Sequence, residues 1–121
     1  MKKKILILDD DEDILDVLEF LLKEDGYEIR ASKNGENIWD AIKEFSPDLI
    51  LMDLMLANLD GRSICKAIKE NTETKDTIVI MISARSDLRP ALGQEGSPDD
   101  FIAKPFDIDT VLKKIKRHLN N

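Results

Sequence analysis

Polar residues that could do chemistry stand directly after four short apolar runs. Asp9-Asp10-Asp11 follows Ile5-Leu6-Ile7-Leu8, and Asp53 follows Leu49-Ile50-Leu51-Met52. Ser83 follows Ile78-Val79-Ile80-Met81-Ile82, and Lys104 follows Phe101-Ile102-Ala103. Clustered carboxylates with no His or Cys beside them form a hard oxygen site suited to Mg²⁺ or Mn²⁺. Without a cation they would repel one another and raise each other's pKa values. A carboxylate is also a nucleophile toward phosphorus, and the product is an aspartyl phosphate. Phosphoryl transfer depends mainly on positioning and on neutralising charge over three equatorial oxygens. Metal on one side, an ammonium on another and a hydroxyl on a third would supply that. Asp53 stands alone on a central run, which leaves Asp9 and Asp10 to hold metal.

For these residues to meet, the apolar runs must be neighbouring strands of one sheet, and the segments between them support this. Ile14, Val17, Leu18 and Leu21 recur at helical spacing, and Gly26 is placed to end that helix in a left-handed cap. Tyr27–Ala31 reads as a short second strand, with a turn at Lys33-Asn34-Gly35. Ile38, Ala41, Ile42 and Phe45 mark a second helix closed by Ser46-Pro47. After Asp53 a loop is expected as far as Asp60-Gly61; Ile64, Ala67 and Ile68 then mark a third helix. Ile108, Val111, Leu112, Ile115 and Leu119 make the last one. Strand-length and helical segments alternate as (βα)5, which predicts a parallel sheet with helices on both faces. Ligands of such sheets bind beyond the carboxyl ends of the strands, where the polar residues lie. The stretch Ser86–Pro98 carries two prolines and two glycines, so a short, displaced or mobile fourth helix is predicted there.

Composition narrows the function classes. A chain of 121 residues fits one domain, expected over 1–121, and can bury a core without staples. A net charge of −7 argues against nucleic acid as a direct partner. The single Cys65 cannot form an internal disulfide, which suits a reducing compartment. The apolar run behind Lys2, Lys3 and Lys4 is too short for a signal peptide core, and no run approaches membrane-spanning length. A cytoplasmic location without membrane contact is expected.

Five stretches in order carry a resemblance: Ile7-Leu8-Asp9-Asp10, Leu51-Met52-Asp53-Leu54-Met55, Leu59-Asp60-Gly61, Ile82-Ser83-Ala84-Arg85 and Asp99-Asp100-Phe101-Ile102-Ala103-Lys104-Pro105-Phe106. With these the sequence resembles the receiver domains of two-component response regulators over essentially its full length. The resemblance implies a doubly wound five-stranded sheet of flavodoxin-like order 2-1-3-4-5. It implies that Asp53 accepts the phosphoryl group and that Asp9 and Asp10 bind Mg²⁺, or Mn²⁺, together with Asp53 and the Met55 carbonyl. Ser83 would hydrogen-bond the phosphoryl group and Lys104 would pair with it. Phe101 matches the aromatic switch position that turns inward as Ser83 moves. The Lys104-Pro105 bond would be cis. The implied donor is a sensor histidine kinase or a histidine phosphotransfer protein, and the implied receiver of the signal a downstream protein or effector domain. No effector domain is expected within 1–121. Such a domain is a signalling phosphoacceptor, limited to self-phosphorylation and slow self-dephosphorylation, and not a classical enzyme. Ala57 stands where the family commonly has Pro, Ser83 replaces the commoner Thr, and the stretch from Ser83 to Lys104 is slightly shorter than usual.

Plainer readings stand beside these. Asp11, Glu12 and Asp13 suit a helix start, with Asp11 as cap. Trp39 reads as edge packing, Cys65 as a partly buried small apolar residue, and His118 as solvated, with no carboxylate or Cys partner in sequence reach. Lys113, Lys114, Lys116 and Arg117 read first as a solvated helix face and second as a docking surface. Three other functions compete: a haloacid dehalogenase-like phosphatase, a flavodoxin-like nucleotide binder, and a receiver fold that binds partners without phosphorylation. In the first, the acidic pair follows the lysine, whereas Asp99-Asp100 precedes Lys104. The second needs an anion loop where this chain has five consecutive acidic residues, Asp9 to Asp13.

Overall fold

The computed structural model describes residues 2–33, 37–56, 59–84 and 96–119. Its elements in order are β1 (Lys4–Leu8), α1 (Glu12–Glu24), β2 (Glu28–Ser32), α2 (Ile38–Phe45), β3 (Leu49–Asp53), β4 (Met55–Leu56), β5 (Leu59–Asp60), α3 (Gly61–Glu70), β6 (Ile78–Ser83), β7 (Asp100–Ala103) and α4 (Ile108–Leu119). Five strands form one parallel sheet in the order β2-β1-β3-β6-β7. That is the expected 2-1-3-4-5 arrangement, because β4 and β5 belong to a separate antiparallel pair. This small pair replaces the loop expected after Asp53. Two-residue strands carry too few side chains for any alternation to be read from sequence.

The sheet is covered on both faces, and strand alternation decides which side chain goes where. Ile5, Ile7, Leu49, Leu51, Ile80, Ile82 and Ile102 pack on one face against Leu15, Leu18 and Leu22 of α1 and Val111, Ile115 and Leu119 of α4. Leu6, Leu8, Ile50, Met52, Val79, Met81 and Phe101 pack on the other against Ile38 and Ile42 of α2 and Cys65 and Ile68 of α3. Central strands sandwiched in this way keep their carboxyl ends at fixed heights, which is what a site built from those ends requires.

Local signals place the helices. Asp11 is extended and its side chain accepts from Asp13 N and Ile14 N, capping α1. Gly26 closes the same helix at φ +96°, a left-handed backbone that favours glycine. Asp60 caps α3 by accepting from Arg62 N at 2.9 Å. The fourth helix predicted within Ser86–Pro98 falls mostly on residues outside those described, as do Asn34, Gly35, Ala57 and Arg85. No described helix is long and apolar enough to cross a membrane.

The adjacent carboxylates of Asp99 and Asp100 pin the start of β7 from two sides. Asp99 Oδ2 accepts from Val79 N at 2.8 Å and from Lys69 Nζ on α3 at 2.7 Å. Asp100, 6% exposed, serves α4 instead. Its Oδ1 accepts from Lys114 Nζ at 3.0 Å, and its Oδ2 accepts from Arg117 Nη2 at 2.6 Å and lies 2.9 Å from His118 Nε2. His118 is therefore not simply solvated, as the sequence implies, but half-buried against a carboxylate. Its partner lies on a strand that only the folded chain brings alongside.

Burial alone would push the Asp100 carboxyl up, but its bonds to His118, Lys114 and the Phe101 amide outweigh it and hold the group well below the usual carboxylate range. A carboxyl depressed on folding stabilises the protein above its unfolded pKa and ceases to do so as pH falls below about 4. Asp100→Asn is expected to cost about 2 kcal/mol near neutrality. Denaturant unfolding should show the gap from wild type closing as pH drops from about 5 toward 2. A gap independent of pH would assign the loss to packing.

Candidate functional site

Four strand ends deliver the candidate residues. Asp9 and Asp10 follow β1, Asp53 is the last residue of β3, Ser83 the last of β6, and Lys104 follows β7. Lys104 Nζ lies 3.1 Å from Asp9 Oδ2 and 3.1 Å from Asp53 Oδ2, bridging two carboxylates from strands paired side by side. One carboxylate oxygen each from Asp9, Asp10 and Asp53 lies within 4.8 Å of the others. Asp9 and Asp53 are buried, while Asp10 is exposed and faces the solvent side of the cluster.

Main-chain donors orient the two buried carboxylates. Asp9 Oδ1 accepts from Asp11 N at 2.9 Å, and Asp53 Oδ1 accepts from Met55 N at 3.1 Å. Lys104 N donates to Ser83 O at 2.8 Å, tying the lysine to the buried serine at the end of β6. The Lys104-Pro105 bond is cis, as the resemblance implied. Phe101 is buried among the second-face core residues, not within the acidic cluster.

The charges do not balance within the cluster. Asp9, Asp10 and Asp53 carry three negative charges and Lys104 one positive, leaving an excess of two. Burial pushes the Asp53 carboxyl above its ordinary value and Asp9 adds to that; Lys104 and the Met55 amide pull the other way without cancelling it. Burial pulls the Lys104 ammonium down, but Asp53 and Asp9 together overcome that and raise it, so the lysine stays charged. A close arrangement of oxygen donors with two uncompensated charges fits a small divalent cation, and the absence of His and Cys favours Mg²⁺ or Mn²⁺ over softer metals.

Gly61 holds the cluster from behind, a role its sequence context alone does not reveal. Its N donates to Leu54 O at 2.6 Å, and a Cβ there would lie 2.8 Å from Asp53 O and 2.9 Å from Leu54 O. These are main-chain atoms of the segment that carries Asp53, so no flexible side chain can yield. Gly61→Ala is expected to cost about 2–3 kcal/mol. A shift of the denaturation midpoint reads this, and a wild-type midpoint would mean that the β3–α3 connection yields freely.

A sequence profile of the response regulator receiver domain matches residues 5–116. The chain belongs to that family. Solved structures agree with a receiver domain over its whole length. A response regulator from Chloroflexus aurantiacus shares 30% identity, with 100% of each chain covered and a TM-score of 0.88. The receiver domain of a signal transduction histidine kinase from Syntrophus aciditrophicus shares 29% identity over 98% of this chain and 90% of that one, with a TM-score of 0.86. The BeF3-activated receiver domain of DrrB shares 31% identity over 100% of both, with a TM-score of 0.84. Receiver domains are signalling domains, and they bind Mg²⁺ at an acidic pocket. In this chain Asp9, Asp10 and Asp53 form an acidic cluster.

Proposed function

We propose that this receiver domain, over residues 1–121, is a phosphoacceptor that takes a phosphoryl group on Asp53 in a Mg²⁺-dependent step and thereby switches a partner-binding surface. The observation that carries this reading is one ammonium set between two buried carboxylates, with a third carboxylate beside them. In the transfer an Asp53 oxygen forms a bond to phosphorus as the donor's P–N bond breaks, and the leaving imidazole nitrogen takes up a proton. Asp9, Asp10, Asp53 and the Met55 carbonyl are the proposed metal ligands. Bound Mg²⁺ would neutralise charge on the phosphoryl oxygens. Lys104 then pairs with the phosphoryl group through the ammonium now shared by Asp9 and Asp53, and Ser83 donates its hydroxyl to it. Closure of Ser83 on the phosphoryl group, with Phe101 as its aromatic partner, shifts a two-state equilibrium.

The proposed donor is the phosphohistidine of a sensor kinase or phosphotransfer protein, acting in the cytoplasm, and the signal leaves through a downstream protein or effector domain. A similar receiver domain in a BeF3-activated form supports the phosphoacceptor reading, since BeF3 imitates a phosphoryl group on a carboxylate. Phosphoramidate carries the same P–N bond and tests the chemistry without the cognate kinase. Incubated with Mg²⁺ it should add one phosphoryl group, and excess EDTA should stop the reaction. Equal phosphorylation with and without EDTA would remove the metal from the account.

A further inference from the structure

The β7 edge shows a connection between α4 and the site. Among the described residues β7 is the last strand of the sheet, with β6 supplying its ladder partners. At Phe101 both main-chain polar groups are nevertheless closed by the Asp100–Lys114 pair. Phe101 N donates to Asp100 Oδ1 at 2.8 Å, and Phe101 O accepts from Lys114 Nζ at 2.8 Å. The same Lys114 Nζ donates to Asp100 Oδ1 at 3.0 Å, which closes the arrangement into a ring. Arg117 and His118, one turn further along α4, hold the other carboxylate oxygen. The pair thus stands where the ladder of a further strand would run.

We infer that Asp100 and Lys114 are positioning residues for phosphoryl transfer: by clamping β7 to α4 they fix the strand that carries Phe101 and delivers Lys104 to Asp53. This rests on the phosphoacceptor reading above. Lys104 lies four residues beyond Asp100, about 13 Å along an extended strand. Between them β7 is continuous and paired to β6 at every residue from Asp100 to Ala103, and Lys104 N continues the pairing onto Ser83 O. A shift of the strand at its clamped start is therefore passed along a stiff element to the lysine. The clamp thus acts at residues 100 and 101, at the start of the strand that leads to the lysine.

Lys114→Met keeps the aliphatic stem and removes the donor, while Lys114→Arg keeps a donor. With acetyl phosphate and Mg²⁺, the Met variant should show a maximal phosphorylation rate lowered roughly tenfold. Its half-saturating donor concentration should stay within about twofold of wild type, with Arg restoring most of the rate. Amide hydrogen exchange in the unphosphorylated protein should speed at both Phe101 and Lys104 in the Met variant. A Met variant that melts earlier but reacts at the wild-type rate makes the clamp structural only and overturns the inference. So does faster exchange at Phe101 with Lys104 unchanged. A wild type that takes no phosphoryl group removes the phosphoacceptor reading instead, and the exchange at Lys104 then decides whether the clamp positions that residue.

Discussion

Asp53→Asn is expected to remain folded and to take no phosphoryl group from acetyl phosphate or phosphoramidate. The amide keeps the volume of the carboxyl, and its oxygen still accepts one of the bonds now made by Met55 N and Lys104 Nζ. Losing a buried charge that Asp9 already disfavours should leave stability within about 1 kcal/mol of wild type. The amide, however, is a poor nucleophile and forms no acyl phosphate. The neighbouring carboxylates do not substitute. Asp9 is 1% exposed, with one oxygen bonded to Asp11 N and the other to Lys104 Nζ. Asp10 is exposed, on the solvent side of the cluster. Intact mass after incubation reads the outcome, and a singly phosphorylated Asn variant would assign the acceptor elsewhere.

Lys104→Met should separate two functions that wild type combines. Removing the ammonium takes away a preorganised positive charge at the phosphoryl group, which commonly lowers the rate by a factor of about 100 or more. The same change leaves Asp9 and Asp53 facing each other without their shared counter-ion, so cation binding should tighten as transfer slows. A Mg²⁺ titration by calorimetry gives the first quantity, and phosphorylation kinetics at saturating Mg²⁺ the second. The variant should also gain more thermal stability from added Mg²⁺ than wild type does, because the ion then relieves more repulsion. Slower transfer with weaker Mg²⁺ binding would show that Lys104 mainly supports the shape of the cluster.

The legible parts of this chain are those governed by local pattern. β3 and β6 are unbroken apolar runs because helices cover both faces of the sheet. Asp11 and Gly26 mark the ends of α1 because a cap needs a particular side chain or backbone freedom at one position. The acidic cluster was readable in part, since a polar residue after a buried strand must emerge at its carboxyl end. That Lys104 touches both Asp9 and Asp53 was not readable from spacing, because the strand order brings together residues 95 and 51 positions apart. The strand ends imply only that the ammonium and the carboxylates share one edge of the sheet. Gly61 belonged to a recognised stretch, but its close approach to the Asp53 main chain is a property of the folded loop. Lys114 reads as a member of a solvated basic face and His118 as a solvated residue near it, whereas their shared partner Asp100 sits on β7. Helical spacing tells which residues share a face; it does not say what faces them.

The central claim is that the phosphoryl group resides on Asp53, and chemical trapping tests it most directly. After phosphorylation with acetyl phosphate and Mg²⁺, borohydride reduces an acyl phosphate to the alcohol, turning the acceptor aspartate into homoserine that peptide mass spectrometry can locate. Homoserine at position 53 alone is the expected result. Homoserine at Asp9 or Asp10, or phosphorylated protein with no homoserine anywhere, would contradict the account.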